Sequence, residues 1–253
     1  MSQLVLTTLP NIPLVKNGDD IARIILNGLR DAEIELREGD VIVIASKIIS
    51  KAEGRVARLN DVTPSKRALE LAQEADKDAR EIELMLQESS EVVRARKGLI
   101  VTRHRLGFVS ANAGIDHSNV QEGAEDFVLL LPLAPDVSAA RIREEINRET
   151  GKQVAVVIAD SHGRPHRLGT IGIAIGSAGL PALEDWRGRK DLFGYELKYT
   201  DIGLADMLAS AATLLFGQAR EATPIVHLRG ATWFGKNGTA RDLVRPKEMD
   251  LFP

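Results

Sequence analysis

The chain has 253 residues, of which 44% are hydrophobic and 27% charged, the balance of an ordinary globular protein rather than a disordered one. A net charge of −3 argues against a nucleic-acid surface, and the absence of cysteine excludes disulfides, thiolate nucleophiles and zinc–thiolate sites. The N-terminus lacks the segments of a signal peptide, and no apolar run approaches the roughly 20 residues of a membrane span. We therefore expect a cytoplasmic protein with neither nucleic acid nor membrane as a partner.

The N-terminal part of the chain combines strands with charged helices. Strands are predicted over Gln3–Thr8 and Asp40–Ala45. Between them, Asp19 or Asp20 is placed to cap a helix whose isoleucines and leucines recur at helical spacing. A second helix is predicted to begin at Thr63-Pro64, because proline suits the first helical position. A third is predicted from about Asp78.

Strands dominate the rest of the chain. They are predicted over Gly98–His104, Gly107–Asn112, Asp126–Leu133, Val154–Ala159 and Pro224–Leu228. Helices are predicted over Asp136–Thr150, with Gly151 as the C-cap, and over Leu204–Phe216. Glycines recur within Gly169–Leu180, a spacing that favours close backbone approach over a helix. The polar C-terminal segment is predicted to be loosely packed.

The order of these elements indicates an α+β protein with mixed, largely antiparallel sheets and flanking helices. There is no regular alternation of strand and helix, and no repeat or linker divides the sequence. We expect residues 1–253 to form a single unit, with two closely merged subdomains as the alternative.

Two segments carry the side chains best suited to chemistry. In the first, small residues surround Asn112, Asp116 and Asn119, which supply hard oxygen ligands, although the same residue types also form plain turns. In the second, Asp160 directly follows an apolar strand, with Arg164 and Arg167 nearby to hold anionic groups. The alternative there is a capping aspartate in a solvated basic loop.

Three further patterns in the sequence are candidate binding sites. His162 and His166 have the spacing of a helical metal pair, but the glycine and proline between them argue against a helix. The segment 230–237 nearly matches a phosphate-binding loop, yet Asn237 replaces the hydroxyl residue, and we interpret the match as a coincidence. Lys47 and Lys51 follow a strand and suit a polyphosphate, with a solvated pair as the alternative.

At these segments the chain closely resembles the coenzyme F420-0:L-glutamate ligase family, which adds γ-linked glutamates to a deazaflavin cofactor. The resemblance is carried by IPLVKNGDDI, ASKIISKAEGR, NAGIDHSNV, LPLAPDVSA, DSHGRPHRLGTIGIAIGSAG, DWRGRKDLFGYEL and LLFGQARE. These stretches run in order from about residue 12 to 230, nearly the whole chain. The combination of NAGIDHSN, DSHGR and DWRGRKDLFG is specific, unlike a lone glycine motif.

The resemblance implies a GTP-dependent amide ligase with a family-specific fold, neither P-loop nor Rossmann. It implies two divalent ions, Mg²⁺ or Mn²⁺, with K⁺ as an additional ion, and F420-0, L-glutamate and GTP as substrates. It also implies a homodimer. The glycine-rich apolar segment 169–180 is a candidate for close packing against a strand of the partner. No C-terminal nitroreductase-like domain is expected.

Site residues follow from the resemblance position by position. The implied metal ligands are Asp116, Asp160, Ser161 and Gln218, and the two aspartates are the catalytic candidates. The implied nucleotide contacts are Ile12, Pro13, Leu14, Val15, Ser46, Lys47, Lys51, Asn119, Phe216, Gly217, Gln218, Ala219, Arg220 and Glu221. Relatives of the resembled family often carry Thr where this chain has Ser161, and both residues supply a hydroxyl. They often carry Glu where this chain has Gln218, and the neutral glutamine is a weaker metal ligand than glutamate.

A ligase of this kind would phosphorylate a carboxylate with GTP and let the amine of glutamate displace the phosphate. Asp116 and Asp160 would hold the divalent ion against the phosphates, and Lys47 and Lys51 would add positive charge. Two other classes fit the same residues: a deazaflavin- or nucleotide-binding protein without turnover, and a metal-dependent phosphohydrolase.

Overall fold

The structure is a computed structural model and describes residues 3–120 and 125–250. The helices are α1 (Ile21–Asp31), α2 (Ser46–Ala52), α3 (Lys66–Ala75), α4 (Ala79–Gln87), α5 (Pro135–Thr150) and α6 (Leu204–Phe216). The strands are β1 (Val5–Thr8), β2 (Val41–Ala45), β3 (Val56–Arg58), β4 (Ser89–Arg96), β5 (Leu99–His104), β6 (Val109–Ala111), β7 (Phe127–Leu129), β8 (Ala155–Arg164), β9 (Arg167–Ala178), β10 (Glu184–Asp185), β11 (Asp201–Ile202) and β12 (Ile225–Arg229). Short 3-10 turns cover Leu59–Asp61, Asn112–Gly114, Ala240–Leu243 and Lys247–Met249.

A five-stranded sheet in the order β1-β12-β2-β8-β9 forms the centre. Only β2 and β8 are parallel among its neighbouring strands, so the sheet is mixed and largely antiparallel. Both faces are covered: Ile42 and Ile44 face α1 and α5, while Val41 and Val43 face α6. This burial on both sides explains the continuous apolar run of β2. The predicted α+β class is confirmed.

The free edge of β9 is closed by side chains instead of another strand. The backbone N–H of Ala174 donates to Asp206 at 2.8 Å, and that of Ser177 donates to Asp136 at the same distance. Both carboxylates lie in the first turn of a helix, α6 and α5 respectively. Because the edge donors are satisfied, β9 is poorly suited to pairing with a further strand.

The glycines of β9 let those helices approach the sheet. A Cβ on Gly172 would lie 2.6 Å from the carbonyl oxygen of Ala209 in α6, and one on Gly176 would lie 2.5 Å from the carbonyl carbon of Pro135 in α5. Close backbone approach was therefore predicted correctly. Packing against a partner strand is wrong for Gly172 and Gly176, because their neighbours are helices of the same chain.

A second body of structure is built on β4, β5 and β6, which form an antiparallel sheet. Helices α3 and α4 pack on it through a core that contains Leu71, Ile82, Met85 and Ile100. Strand β4, which was not predicted, reads SSEVVRAR and has only half-buried or exposed residues. Its sparse apolar residues gave no strand signal.

Helix starts show where local signals are decisive. Asp20 caps α1 by accepting the N–H of Arg23, and Asp78 caps α4, as predicted. Helix α3 begins two residues later than expected, because its cap is Ser65 and not Thr63. The hydroxyl of Ser65 accepts the N–H of Ala68 at 3.2 Å. Gly151 ends α5 in the left-handed region with φ of 70°, as predicted.

The C-terminal segment is more ordered than expected. Ala240 is buried, and its N–H donates to Asp136 at 2.9 Å, so the prediction of loose packing is wrong for this turn. The segment 230–237 is irregular and leads into a 3-10 turn rather than a helix, in keeping with a chance match to a phosphate loop. Within the described ranges, no helix is both long and apolar enough to cross a bilayer.

Candidate functional site

The parallel pairing of β2 with β8 brings the first two site residues together. Ala45 lies opposite Ala159, so the residues that follow, Ser46 and Asp160, are neighbours across the sheet. The Ser46 hydroxyl donates to Oδ1 of Asp160 at 2.6 Å. Asp160 does not end its strand, as the sequence had suggested, because β8 continues to Arg164 in a hairpin with β9.

Asp116 reaches the same place from the loop after β6. Its carboxylate forms a 2.7 Å salt bridge with Lys47, the second residue of α2. Its Oδ1 also accepts the N–H and hydroxyl of Ser118, at 2.7 and 2.8 Å. The backbone of Asp116 is tied to Leu129 by a pair of hydrogen bonds, so the loop holds the carboxylate in place.

The two carboxylates have opposite electrostatic surroundings. The pKa of Asp160 is raised to about 6. Burial is the largest cause, the hydrogen bond from Ser46 opposes it, and the negative charge of Asp116 adds to it. Burial also acts to raise the pKa of Asp116, but the hydrogen bonds from Lys47 and Ser118 outweigh it and leave that pKa below its usual value. A cation between the two oxygens would relieve both the burial and the repulsion at Asp160.

This pair therefore fits a hard divalent ion through the chemistry of its donors. Carboxylate and hydroxyl oxygens are the ligands that Mg²⁺ and Mn²⁺ prefer, and Asp116, Asp160 and Ser46 supply them within one cluster. Among residues 3–120 and 125–250, no group of three or more His, Asp or Glu side chains is arranged to hold a metal. An ion here would complete its coordination with hydroxyls, water or substrate.

Lys51 lies one turn after Lys47 on α2 and faces the same region. Burial, followed by the positive charge of Lys47, lowers its pKa. In the described part of the chain, no carboxylate forms a salt bridge with Lys51. A half-buried ammonium group that repels its neighbour and lacks a counterion is suited to bind an anionic ligand.

The segment after α6 is joined to the Asp116 loop. Asn119 donates from its side-chain amide to the carbonyl of Ala219 at 2.8 Å. Gly217 has φ of 71°, in the left-handed region that favours glycine. The predicted nucleotide contacts at 119 and 216–221 are thus neighbours in space.

The N-terminal predicted contacts are positioned by α2 and the core. Val15 is buried with α1, whereas Leu14 is 87% exposed. Just beyond them, the N–H of Gly18 donates to the carbonyl of Ala52 at 2.9 Å, which sets this segment beside the end of α2. Pro13 and Leu14 therefore lie at the surface, whereas Ile12 is half-buried and packs against the core.

Ser161 lies on the opposite face of β8 from Asp160, and Gln218 lies in the segment after α6. Side chains alternate along a strand, so Ser161 points away from the face of Asp160. Its partner in the hairpin, Gly172, packs against α6, and Gln218 follows the end of that helix. Ser161 therefore lies on the α6 side of β8, whereas Gln218 precedes Ala219, whose carbonyl accepts from Asn119 in the loop of Asp116.

Ser118 is the functional candidate that the sequence interpretation missed. It bridges Lys47 and Asp116, accepting from the ammonium group at 2.7 Å while it donates to the carboxylate. The signal was present, because a residue two positions after an aspartate commonly donates its N–H to that side chain. Asn112 has a structural role instead, since it accepts the N–H of Ile100 at 3.2 Å.

Comparison with known proteins identifies the family of the chain over nearly its full length. The model of the family described as F420-0:Gamma-glutamyl ligase matches residues 10–230. The coenzyme F420:L-glutamate ligase of Methanocaldococcus jannaschii is 46% identical over 241 residues, which cover 95% of this chain and 94% of the relative. The protein of the same name from Methanothermobacter thermautotrophicus is 44% identical, with 95% of each chain covered, and that from Archaeoglobus fulgidus is 43% identical, with 95% and 92% covered.

These similarities define the class of the protein, a ligase. The chain belongs to the F420-0:gamma-glutamyl ligase family. The resemblance stated from the sequence motifs is confirmed.

Proposed function

We propose that the chain joins L-glutamate to F420-0 through an amide bond and uses GTP to activate the acceptor carboxylate. Family membership and the names of relatives that match nearly the full length support the ligase reaction. The observation that carries the proposal is the cluster of Asp116 and Asp160 beside Lys47 and the unpaired Lys51. It combines oxygen ligands for a cation with positive charge for phosphates.

The chemistry follows from the low reactivity of a carboxylate toward an amine. A carboxylate oxygen of F420-0 attacks the γ-phosphorus of GTP, which forms an acyl phosphate and releases GDP. The amino group of glutamate then attacks the acyl carbon, the phosphate leaves with that oxygen, and the amine loses a proton. Phosphoryl transfer of this kind needs positioning and charge neutralisation more than covalent catalysis.

The residues divide these tasks. Lys47 and Lys51 would hold phosphate oxygens and offset their charge, and Ser118 keeps Lys47 oriented by accepting from it. Asp116 and Asp160 would hold Mg²⁺ or Mn²⁺, which when bound withdraws charge from phosphate oxygens.

We propose that a second divalent ion binds in addition to the first. Ser161 and Gln218 would hold it, with K⁺ as an additional cation. Because neither residue carries a charge, this site would depend more on the phosphates themselves than the first site does.

The segment 216–221 is suited to phosphate for a reason independent of the resemblance. The N–H of Ala219 donates to Glu221 at 2.8 Å. Backbone N–H groups of Ala219 and Glu221, with smaller contributions from those of Gln218 and Arg220, lower the pKa of this exposed carboxylate. A turn whose amides converge on a carboxylate presents the same donors that bind phosphate.

A single set of incubations separates the ligase from the two alternative classes. Purified protein with GTP and Mn²⁺ is assayed for phosphate release with and without F420-0 and glutamate. The ligase releases phosphate only when both substrates are present, and the product gains the mass of one glutamate residue. Release with neither substrate would indicate a phosphohydrolase, and no release in any mixture would indicate a binding protein.

We also propose that the protein is a homodimer. The segment between β10 and β11 carries Leu192 and Phe193, which are 98% and 96% exposed, and Tyr199, which is nearly as exposed. Large apolar side chains so close together are typical of a surface that another chain covers. Light scattering at micromolar protein is expected to give twice the monomer mass, and a monomer would contradict the proposal.

A further inference from the structure

A cavity of about 450 Å³ lies between the β8–β9 hairpin, the β5–β6 turn and the C-terminal turns. One wall is apolar and is built from Phe108, Ile173 and Leu243. The rim carries Arg241 and Arg245. Asp136, Asp206 and Asp250 also line the cavity, and each already accepts a hydrogen bond, from Ser177, Ala174 and Arg103 respectively. Volumes of about 300–1,000 Å³ are typical of small-molecule sites.

The cavity begins next to the acidic pair. Ile173 is the residue directly opposite Asp160 in the β8–β9 hairpin, and it lines the cavity. His162, two positions after Asp160 on the same face of β8, also lines it and meets the Phe108 ring edge-on at 5.8 Å. The cavity therefore lies beside the strand positions that flank Asp160.

The two rim arginines are available for an anion. Other arginines of the lining are already engaged, since Arg103 contacts Glu91 and Arg105 contacts Glu88. In the described ranges, no carboxylate forms a salt bridge with Arg241 or Arg245. Guanidinium groups in this setting suit carboxylate or phosphate groups, which they bind through paired hydrogen bonds.

The rim is held in place by the rest of the fold. The turn that carries Arg241 is fixed by a capping box between Thr239 and Asp242, and its first N–H donates to Asp136 at the base of α5. The arginine backbone therefore has a defined position before any ligand arrives, which lowers the entropic cost of binding.

We propose that this cavity binds the acceptor, with its ring system or linker against the apolar wall and its anionic groups on Arg241 and Arg245. The proposal rests on the ligase function proposed above. None of the proposed nucleotide contacts lines the cavity, which leaves it for the molecule that receives the phosphoryl group. Glutamate is small and has no ring, so it would leave the apolar wall uncovered.

The test uses Arg241→Gln, Arg245→Gln and the double variant, with Arg148→Gln as the matched control. Arg148 is an exposed arginine of α5 that does not line this cavity. Steady-state ligation is measured with each substrate varied in turn, and F420-0 binding is measured by calorimetry without GTP or metal. Thermal unfolding of each variant shows that the fold is retained.

The double variant is expected to raise the KM for F420-0 about tenfold or more, because a charge-assisted contact is lost. KM for GTP and glutamate, the melting temperature and the control variant should stay at wild-type values. An unchanged KM for F420-0, or a rise in the KM for glutamate instead, would overturn the assignment. If the wild type forms no product, the ligase proposal fails, while calorimetry still decides whether these arginines bind F420-0.

Discussion

Replacing Asp160 by Asn is expected to stabilise the metal-free protein while it abolishes ligation. The carboxylate is largely buried beside the negative charge of Asp116, and its pKa of about 6 shows that the folded protein disfavours its ionised form. Asn keeps the volume and still accepts the hydroxyl of Ser46. The substitution thus removes a charge that costs stability and that would serve only to bind a cation.

The magnitude follows from the difference between an ordinary pKa of 3.8 and a folded-state value of about 6. Each pKa unit corresponds to about 1.4 kcal/mol, so the ionised Asp160 costs up to roughly 3 kcal/mol above pH 6. Solvent reaches part of the side chain, and we expect a gain of about 1–3 kcal/mol at pH 8. At about 2–4 °C per kcal/mol, the melting temperature should rise by about 2–12 °C. The gain should vanish below pH 4, where both states are protonated.

The assay is thermal unfolding at pH 8, first in chelator and then with Mn²⁺. Asp40→Asn is the matched control, because hydrogen bonds from Arg229 and His227 outweigh burial and lower the pKa of that carboxyl. Asp40→Asn should lower the melting temperature, because it removes a charge that His227 and Arg229 stabilise. Mn²⁺ should stabilise the wild type and the Asp40 variant, and should have little effect on Asp160→Asn.

Ligation by Asp160→Asn should fall by at least about a hundredfold, since metal stabilisation of the phosphoryl group is worth several kcal/mol. A variant that melts below the wild type in chelator, yet retains Mn²⁺ stabilisation and turnover, would refute the reasoning. It would show that Asp160 is a structural residue of the hairpin.

Three further predictions test separate parts of the account. Lys51→Ala should weaken GTP binding by about 1.5–3 kcal/mol in calorimetry, because it removes a charge-assisted contact, and unchanged affinity would exclude a phosphate role for this lysine. Glu88→Gln should lower the melting temperature at pH 7. As the pH is lowered, the melting temperature of the variant should decrease less than that of the wild type. Burial alone would raise the pKa of Glu88, but hydrogen bonds from His104 and Arg55 lower it to about 2, so its contribution is present above pH 4.5 and is lost as the pH falls toward 2. Gly172→Ala should destabilise the protein by roughly 1–3 kcal/mol in denaturant unfolding, because its Cβ would press on α6, and wild-type stability would show that the helix gives way freely.

The elements that sequence predicted well are those with a strong local signal. Helix α1 has both an aspartate cap and helical spacing, and β2 is a continuous β-branched run, so each was located within a residue or two. Helix α2 was missed because it follows β2 without a break and has only seven residues. Its placement matters for function, since it carries Ser46, Lys47 and Lys51.

Motifs in the sequence named candidate site residues, but the geometry that joins them could not be predicted. Motif resemblance indicated Asp116, Lys47 and Asn119, and the structure brings the first two into a salt bridge. Asp160 and Ser161 face opposite sides of the sheet because β8 continues past Asp160 to Arg164, which no local signal in 160–164 revealed. Contacts such as Asn119 with Ala219 join residues 100 positions apart and depend on the whole fold.

The transfer of oxygen-18 from the acceptor carboxylate tests the proposed activation most directly. Ligation is run with F420-0 labelled in that carboxylate, and the released phosphate and the amide product are examined by mass spectrometry. The account predicts that each phosphate carries one labelled oxygen, because the acyl-phosphate bond is made to the carboxylate oxygen and broken at the acyl carbon. Amide product accompanied by unlabelled phosphate would contradict it.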